Sequence, residues 1–165
     1  FQGGSEFGPR ALGHRSVLFD PRRPEGPERL NMHVKGRESF RPFAPVVIAE
    51  HAHEWFDFGT RSNSSPFMLR VVPVRQARRA QIPAVTHVDG TSRPQTLTRK
   101  QEPTLFRLLE RFEAMSGVPM LLNTSLNTMG EPLVETPEEA LALAHSQDID
   151  CLVLGAELHD TSRGR

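Results

Sequence analysis

Proline and glycine set the scale of structure in this sequence, because fourteen prolines and twelve glycines divide its 165 residues into short stretches. Proline interrupts helices and central strands, and glycine favours turns. No stretch repeats another. We therefore predict short elements joined by turns, in a chain long enough to bury a core as one domain.

The spacing of apolar residues predicts helices and strands in turn along the chain. The clearest helix is 104–115, where apolar residues share one face and Gly117 follows as a stop signal. A second helix starts at Thr136-Pro137 with glutamates in its first turn, and it runs to about His145. The remaining predictions are short helices at 28–34 and 50–56, a flexible loop at 59–66, a frayed tail from Glu157, and strands at 15–20, 45–49, 67–74, 84–88, 95–98, 120–122 and 151–154. Strands interspersed with helices favour an α/β or α+β domain with a mixed sheet.

Composition excludes several classes of protein. Apolar residues make up 37% of the chain and charged residues 24%, with no net charge, which is unlike a disordered protein. No stretch has the roughly 20 apolar residues that a membrane span needs, and none resembles a signal peptide. The single cysteine, Cys151, excludes an internal disulfide and a cysteine-based zinc site. We expect a soluble, cytoplasmic protein.

Several residues that attract attention are assigned to structure rather than to chemistry. Cys151 is predicted to be a small core residue of the last strand. Trp55 and the phenylalanines beside it are predicted to pack in the core or at a domain interface rather than to stack on bases. His51 and His53 are expected to face solvent, so no tightly bound metal is predicted.

The charges balance over the whole chain but separate along it. Residues 1–100 carry 16 basic against 9 acidic residues, and residues 101–165 carry 4 against 11. Eighteen of the twenty basic residues are arginines, whose planar guanidinium matches phosphate and carboxylate oxygens. This bias has two explanations: a solvated surface combined with codon bias, or a segment that binds a polyanion.

Two of four polar clusters in the sequence are basic. The first, residues 6–16, holds Arg10 in a turn bounded by glycine and proline, which would equally suit a salt-bridged turn. The second, residues 35–43, contains Lys35, Arg37 and Arg41. If this segment is an extended strand, these cations and Ser39 point to one face, where they repel one another unless an anion or solvent screens them. A solvated run of charge is the alternative.

The other two clusters are rich in small polar residues. Residues 87–96 turn around Gly90 with hydroxyl groups and Arg93, a composition typical of an oxyanion cradle, although a plain hairpin turn looks similar. Residues 121–127 run from an apolar strand into Asn123-Thr124-Ser125-Leu126-Asn127. Amides and hydroxyls beyond a strand end suit ligand binding in an α/β sheet, or a turn that only satisfies its own backbone.

In combination these clusters resemble a known family. The blocks that carry the resemblance are Glu-Phe-Gly-Pro-Arg-Ala-Leu-Gly from Glu6, Lys-x-Arg-Glu-x-Phe-Arg-Pro-Phe-Ala-Pro from Lys35, Ser-Pro-Phe-Met from Ser65, Ala-Val-Thr-His-Val-Asp-Gly-Thr from Ala84, and Leu-Leu-Asn-Thr-Ser-x-Asn from Leu121 with Gly-Glu-Pro after it. They are similar to the C-terminal domain of the O-carbamoyltransferases that modify antibiotics and nodulation factors, such as the tobramycin and cephamycin enzymes. The likeness spans about Gln2 to Gly155 and implies a YrdC-like fold, similar to threonylcarbamoyl-adenylate synthase.

The resemblance implies ATP-dependent activation of carbamoyl phosphate. Carbamate released from carbamoyl phosphate attacks the α-phosphate of ATP and gives carbamoyl-adenylate and pyrophosphate. In such enzymes an N-terminal domain of Kae1-like fold, which holds an iron ion, passes the carbamoyl group to a hydroxyl. We expect residues 1–165 to be a carbamoyltransferase C-terminal domain without that N-terminal domain, which would act in cis or in trans.

The same likeness implies the site residues. The YrdC-like tetrad falls on Lys35, Arg37, Ser125 and Asn127, and further contacts to carbamoyl phosphate and nucleotide fall on Arg10, Arg41, Arg93, Asn123 and Thr124. The cations, with Mg²⁺, would offset the roughly six negative charges of the two substrates, so we expect them to converge around one anion-sized hollow. Ser125 and Asn127 would orient the carbamate or the adenylate, and no general base is assigned.

Two other classes of function fit the same sequence. The basic segment could hold RNA or a free nucleotide without turnover, although RNA-binding proteins usually carry more lysine and exposed aromatic residues, which disfavours nucleic acid. The second is a degenerate fragment that folds but has no activity. Binding of ATP and carbamoyl phosphate would separate this from an enzyme, because only an intact site stabilises the fold on binding.

Overall fold

A four-stranded mixed sheet forms the centre of the structure, a computed structural model that describes residues 1–60 and 62–162. Its strands lie in the order β1 (Ser16–Phe19), β6 (Met120–Ser125), β2 (Ala44–Ile48) and β5 (Gln95–Leu97). β6 is antiparallel to both of its neighbours, whereas β2 and β5 are parallel. The prediction of a mixed α/β domain is confirmed.

Helices cover the two faces of this sheet. On one face α3 (Pro103–Ser116) packs on β2 and β6 and buries Leu105 and Leu109. The other face carries the larger core, to which α1 (Gly26–Leu30), α2 (Ala52–Trp55) and α4 (Pro137–Ser146) contribute. Trp55 is only 2% exposed, which confirms its assignment to the core. No helix of the described residues is both long and apolar enough to cross a membrane.

The helix boundaries follow the predicted signals. Glu102 accepts a hydrogen bond from the Thr104 N–H at the start of α3, and Gly117 ends it in a left-handed conformation at φ 73°. Thr136 and Glu139 form a reciprocal capping box at the start of α4. The predicted helix at 28–34 is instead a short α1 followed by a wider, π-helical turn, Asn31–Lys35.

One predicted strand is much shorter than expected, and another is wrong. Within 67–74 only β3 (Val72–Pro73) is extended, because Met68 takes a positive φ of 54° that breaks the strand. Within 84–88 the residues Pro83–Val85 form a 3₁₀ turn, to which the proline's restricted φ is suited. Position 61 of the predicted loop 59–66 lies outside the described residues.

Two antiparallel sheets of two strands each complete the fold. β3 pairs with β4 (Thr91–Ser92), and β7 (Cys151–Leu154) pairs with β8 (Glu157–Asp160). The prediction of a frayed tail from Glu157 is therefore wrong up to Asp160, while positions 163–165 lie outside the described residues. Cys151 is exposed rather than buried, because β7 belongs to a two-stranded ribbon and not to the central sheet.

Candidate functional site

Lys35, Ser125 and Asn127 meet at the end of β6. The Lys35 side chain is 2% exposed. Its Nζ donates to the backbone oxygen of Ser125 at 2.7 Å and to the Oγ of the same residue at 3.1 Å. It also donates to the backbone oxygen and the Oδ1 of Asn127, both at 2.6 Å. The Ser125 hydroxyl donates to the same Oδ1 at 2.6 Å, so the three polar side chains form one connected group.

The Lys35 ammonium is electrostatically unfavourable at this position. Burial, followed by the charges of Arg37 and Arg41, lowers the pKa of Lys35 to about 7. Its oxygen acceptors favour the charged form, but they are neutral and do not cancel the two neighbouring cations. An anion bound beside this group would therefore stabilise the ammonium and raise its pKa.

The segment after Lys35 turns rather than running as a strand. Gly36 takes a left-handed conformation with φ 59°, so the expected row of cations on one strand face is wrong. Arg37 is half-buried and stacks over the Phe43 ring at 4.8 Å. Arg41 is exposed, and its Nη1 lies 3.8 Å from Glu38 Oε2. The turn still keeps both arginines close enough to act on the Lys35 ammonium.

Asn31 organises this turn, and sequence reasoning missed it. Its side chain is fully buried, and its Oδ1 accepts a hydrogen bond from Arg37 Nε at 2.6 Å. Its Nδ2 donates to the backbone oxygens of Ser39 at 3.1 Å and Arg41 at 3.0 Å. The only signal in the sequence is an amide one helical turn before Lys35, in a segment that otherwise buries apolar residues.

An open hollow of about 350 Å³ adjoins the turn and is lined by Met32, Gly36, Arg37, Glu38 and Met129. Among the predicted cations only Arg37 lines it. A larger cavity of about 480 Å³ is apolar in lining and lies elsewhere, along β1 and β7. Neither of these two cavities is lined by all five predicted cations, so their convergence around one hollow stays a prediction.

Glu6 holds residues 6–15, which include the first block of the family resemblance, in a closed loop. Its Oε1 accepts hydrogen bonds from the N–H groups of Leu12 at 2.7 Å and His14 at 2.8 Å, and a longer one from Arg15 at 3.3 Å. Burial raises the pKa of Glu6, but these backbone N–H groups outweigh it and lower the pKa below its usual value. The carboxylate thus fixes the loop that carries Arg10.

A second basic group consists of Arg10 and Arg93. Arg10 is exposed on the 6–15 loop, and Arg93 is half-buried. Burial and the charge of Arg10 together lower the pKa of Arg93, which places the two guanidinium groups near each other. Burial also lowers the pKa of His87, an effect opposed by Asp89 and by the backbone of Phe43, and assisted by Arg93. His87 is therefore near both Arg93 and the backbone of Phe43, which belongs to the segment that follows Lys35.

A polar row on the α3 face of the sheet connects the two basic groups. Strand alternation puts Asn123 and Ser125 on this face and Thr124 on the opposite one, away from its predicted site partners. Asn123 Nδ2 donates to Gln95 Oε1 at 2.9 Å and to the backbone oxygen of Ala11 at 3.1 Å. Its Oδ1 is buried and has no hydrogen-bond partner among the described residues. Gln95 is a second residue that sequence reasoning missed.

The described residues hold no group of three or more histidine, cysteine or acidic side chains that could bind a metal. His53 is exposed, and His51 Nδ1 lies 2.7 Å from Glu113 Oε1.

Comparison with known proteins identifies the class of protein. Residues 1–160 match the family described as carbamoyltransferase C-terminus. The chain belongs to this family, and the resemblance read from the five sequence blocks is confirmed.

The relatives of this chain include nodulation proteins and a cephem O-carbamoyltransferase. The nodulation protein NolNO of Sinorhizobium fredii is 47% identical over 157 residues, which cover 95% of this chain and 23% of that protein. NolO of Bradyrhizobium diazoefficiens is 47% identical over 154 residues, covering 93% of this chain and 28% of the relative. The 3'-hydroxymethylcephem-O-carbamoyltransferase of Amycolatopsis lactamdurans is 38% identical over 165 residues, which cover 99% of this chain and 30% of that protein. The chain thus spans about a quarter of the length of these relatives.

Proposed function

We propose that this chain forms the site where ATP and carbamoyl phosphate are converted to carbamoyl-adenylate, which a separate domain then uses to carbamoylate a hydroxyl. The observation that carries the proposal is the junction of Lys35 with Ser125 and Asn127, residues 90 and 92 positions away. These are three of the four residues that the YrdC-like likeness marks. The fourth, Arg37, acts electrostatically on the same ammonium.

The chemistry of adenylate formation needs such a cluster. Water first hydrolyses carbamoyl phosphate to carbamate and inorganic phosphate. A carbamate oxygen then attacks the α-phosphorus of ATP, the bond from that phosphorus to the β-bridging oxygen breaks, and pyrophosphate leaves. Both reactants are anions, and charge develops on the phosphoryl oxygens, so preorganised cations supply the main stabilisation. Of the three cations in residues 35–41, Arg37 and Arg41 remain available to contact the substrates, because Lys35 already donates to Ser125 and Asn127.

Mg²⁺ would supply further charge neutralisation on the phosphates. Since the described residues form no metal-binding cluster, they fit an ion that is carried mainly by ATP rather than by the protein.

The buried amide of Asn123 supports the same site. Its unpartnered Oδ1 is an acceptor that costs free energy unless a donor reaches it. The amino group of a carbamoyl moiety is such a donor, and Asn123 shares a strand face with Ser125. The name of the Amycolatopsis relative, a cephem O-carbamoyltransferase, supports a hydroxyl acceptor for the complete protein.

The test is pyrophosphate release from ATP, Mg²⁺ and carbamoyl phosphate. We expect Lys35→Ala and Arg41→Ala each to lower the rate by about 10²–10³-fold, the usual effect of removing one preorganised group. Arg107→Ala, an exposed arginine on α3, is the matched control and should keep the rate. Release that both site variants leave unchanged would overturn the assignment.

Binding separates the remaining alternatives. ATP with carbamoyl phosphate should stabilise the folded state by about 2.7 kcal/mol at a hundredfold excess over Kd, and the melting temperature should rise as a result. No shift in melting temperature would identify a folded but inactive fragment. A salt-dependent gel shift with generic RNA, in the absence of pyrophosphate release, would instead identify a nucleic-acid-binding module.

A further inference from the structure

A slot separates the central sheet from the β7–β8 hairpin. The cavity of about 480 Å³ runs along it. One side is β1 and the other is β7, while Leu105 and Leu108 of α3 line one face and Leu30 of α1 lines another part. We call this space the β1–β7 slot.

Among the described residues no strand pairs with the outer edge of β1, and this edge faces the slot. β1 is the end strand of the four-stranded sheet, and the Leu126 N–H donates to the Arg15 oxygen at 2.9 Å. In an antiparallel pair the bonded positions alternate, so Val17 and Phe19 bond to β6. The N–H and C=O groups of Ser16 and Leu18 therefore point the other way, towards β7.

The backbone of Phe1 and Gln2 already spans one end of the slot. The Phe1 N donates to the Val153 oxygen, and the Gly155 N–H donates to the Phe1 oxygen, both at 2.9 Å. This pair of bonds is the parallel pattern, with Phe1 opposite Leu154. The Gln2 N–H donates to the His14 oxygen at 3.1 Å, on the same outward-facing edge as Ser16.

Arg15 anchors this end. Its guanidinium lies 3.5 Å from the Phe1 ring centroid and donates to the backbone oxygens of Gln2 at 2.8 Å and Gly3 at 3.0 Å. A residue placed before Phe1 and continuing its direction would therefore enter the slot, with Val153 on one side and Ser16 on the other.

We propose that the β1–β7 slot receives one extended strand, formed by polypeptide N-terminal to Phe1 in the complete protein. That strand runs parallel to β7 and antiparallel to β1, and it joins the four-stranded sheet and the β7–β8 hairpin into one seven-stranded sheet. Relatives are three to four times longer, and the matched family describes their C-terminus, so they have residues on this side.

The slot also defines the chemistry of its occupant. Both faces of the added strand would be covered, one by α3 and the other by the core beneath α1. Strands buried on both faces are apolar on both faces, unlike strands with one solvated face. Arg29, at the rim of the slot, is already paired with Asp148 at 2.6 Å and Asp150 at 2.8 Å, so it needs no acidic partner from the added strand.

The test extends the chain directly ahead of Phe1 by six residues of valine and isoleucine. A matched extension with proline at alternate positions cannot donate the ladder hydrogen bonds. Cys151 lines the slot, is exposed and is the only cysteine in the sequence. Its reaction rate with an aromatic disulfide therefore reports whether an added strand covers the slot. We expect the strand extension to slow that reaction at least about tenfold and to slow amide exchange at Ser16 and Leu18, with the proline extension doing neither.

Two results would overturn the proposal. The first is that the two extended chains show the same reaction rate of Cys151 and the same amide exchange at Ser16 and Leu18. The second is concentration-dependent protection of these amides in the unextended chain, which would show that a second copy covers the edge. Leu108→Arg in the extended chain provides a further check, because a charge on the slot wall should restore the Cys151 rate.

Discussion

Lys35 and Asn127 lie 92 residues apart in the chain, yet the Lys35 ammonium donates to the backbone oxygen and the Oδ1 of Asn127 at 2.6 Å each. This contact ties the end of the helical segment 26–35 to the loop after β6. It also explains why Lys-x-Arg and Ser-x-Asn occur as separate motifs: each supplies half of one polar group. A ligand that binds there meets both halves at once.

The buried ammonium makes stability depend on pH. The folded pKa of Lys35 is about 7 and the unfolded value is 10.5, so between these values the unfolded chain binds the extra proton. Stability therefore rises with pH in this window, by up to about 1.4 kcal/mol per pH unit. Urea titrations from about pH 7.5 to pH 9.5 should show this slope in the natural chain and not in Lys35→Met. Equal slopes in the two proteins would contradict the buried, disfavoured ammonium.

Removing the Asn31 amide should loosen the turn that carries Arg37 and Arg41. Asn31→Ala leaves the Arg37 Nε and two backbone oxygens without their partner, at a cost of about 1–3 kcal/mol in the free energy of unfolding. His33→Ala, an exposed position in the same helical turn, should stay within about 0.5 kcal/mol. Urea denaturation measures both. A small effect of Asn31→Ala would show that the turn is held by other contacts.

Glu6 should stabilise the 6–15 loop in a pH-dependent manner. Because its folded pKa is lowered, the stabilisation is present above the unfolded value of 4.5 and is lost as pH falls through the folded pKa. Glu6→Gln should cost about 1 kcal/mol at neutral pH, and the difference should shrink as pH falls from 4.5 through the lowered folded pKa of Glu6. Glu50→Gln, at an exposed position, serves as the control in the same denaturation series. A difference that does not change with pH would mean that the Glu6 charge is unimportant.

Gly36 should tolerate asparagine better than alanine. Its φ of 59° is left-handed, and nothing lies within 4 Å of an added Cβ, so backbone strain is the cost of substitution. Gly36→Ala should lose about 1 kcal/mol, and Gly36→Asn should lose less. Gly4→Ala is matched, because it also has open space but no positive φ. Thermal unfolding compares the three variants, and equal losses for alanine and asparagine would refute the strain argument.

Local signals predicted the elements whose causes are local. The start of α4 follows from Thr136 and Glu139, which bond to each other's backbone. The end of α3 follows from Gly117, which adopts the left-handed conformation that stops a helix. Apolar runs failed as strand predictors where backbone conformation and proline intervened, as at Met68 and Pro83. Strand formation depends on a partner, and a short apolar run does not specify one.

The prediction of site residues also worked for short motifs and missed residues whose roles depend on the fold. Motif likeness identified Lys35, Ser125 and Asn127, and the structure brings them together. It overlooked Asn31 and Gln95, whose roles depend on which backbone oxygens and side chains fold against them. It also grouped Thr124 with its neighbours, although alternation along β6 turns that side chain to the other face.

The amino-acid sequence by itself determined the family, the mixed α/β class, the start of α4 and the end of α3, because these depend on residue type and short-range spacing. Tertiary structure alone decided that the cations form two groups, that Lys35 has a pKa near 7, and that β1 faces an open slot. Those properties arise from burial and from distances between residues remote in the chain, and burial and such distances exist only after the chain has folded.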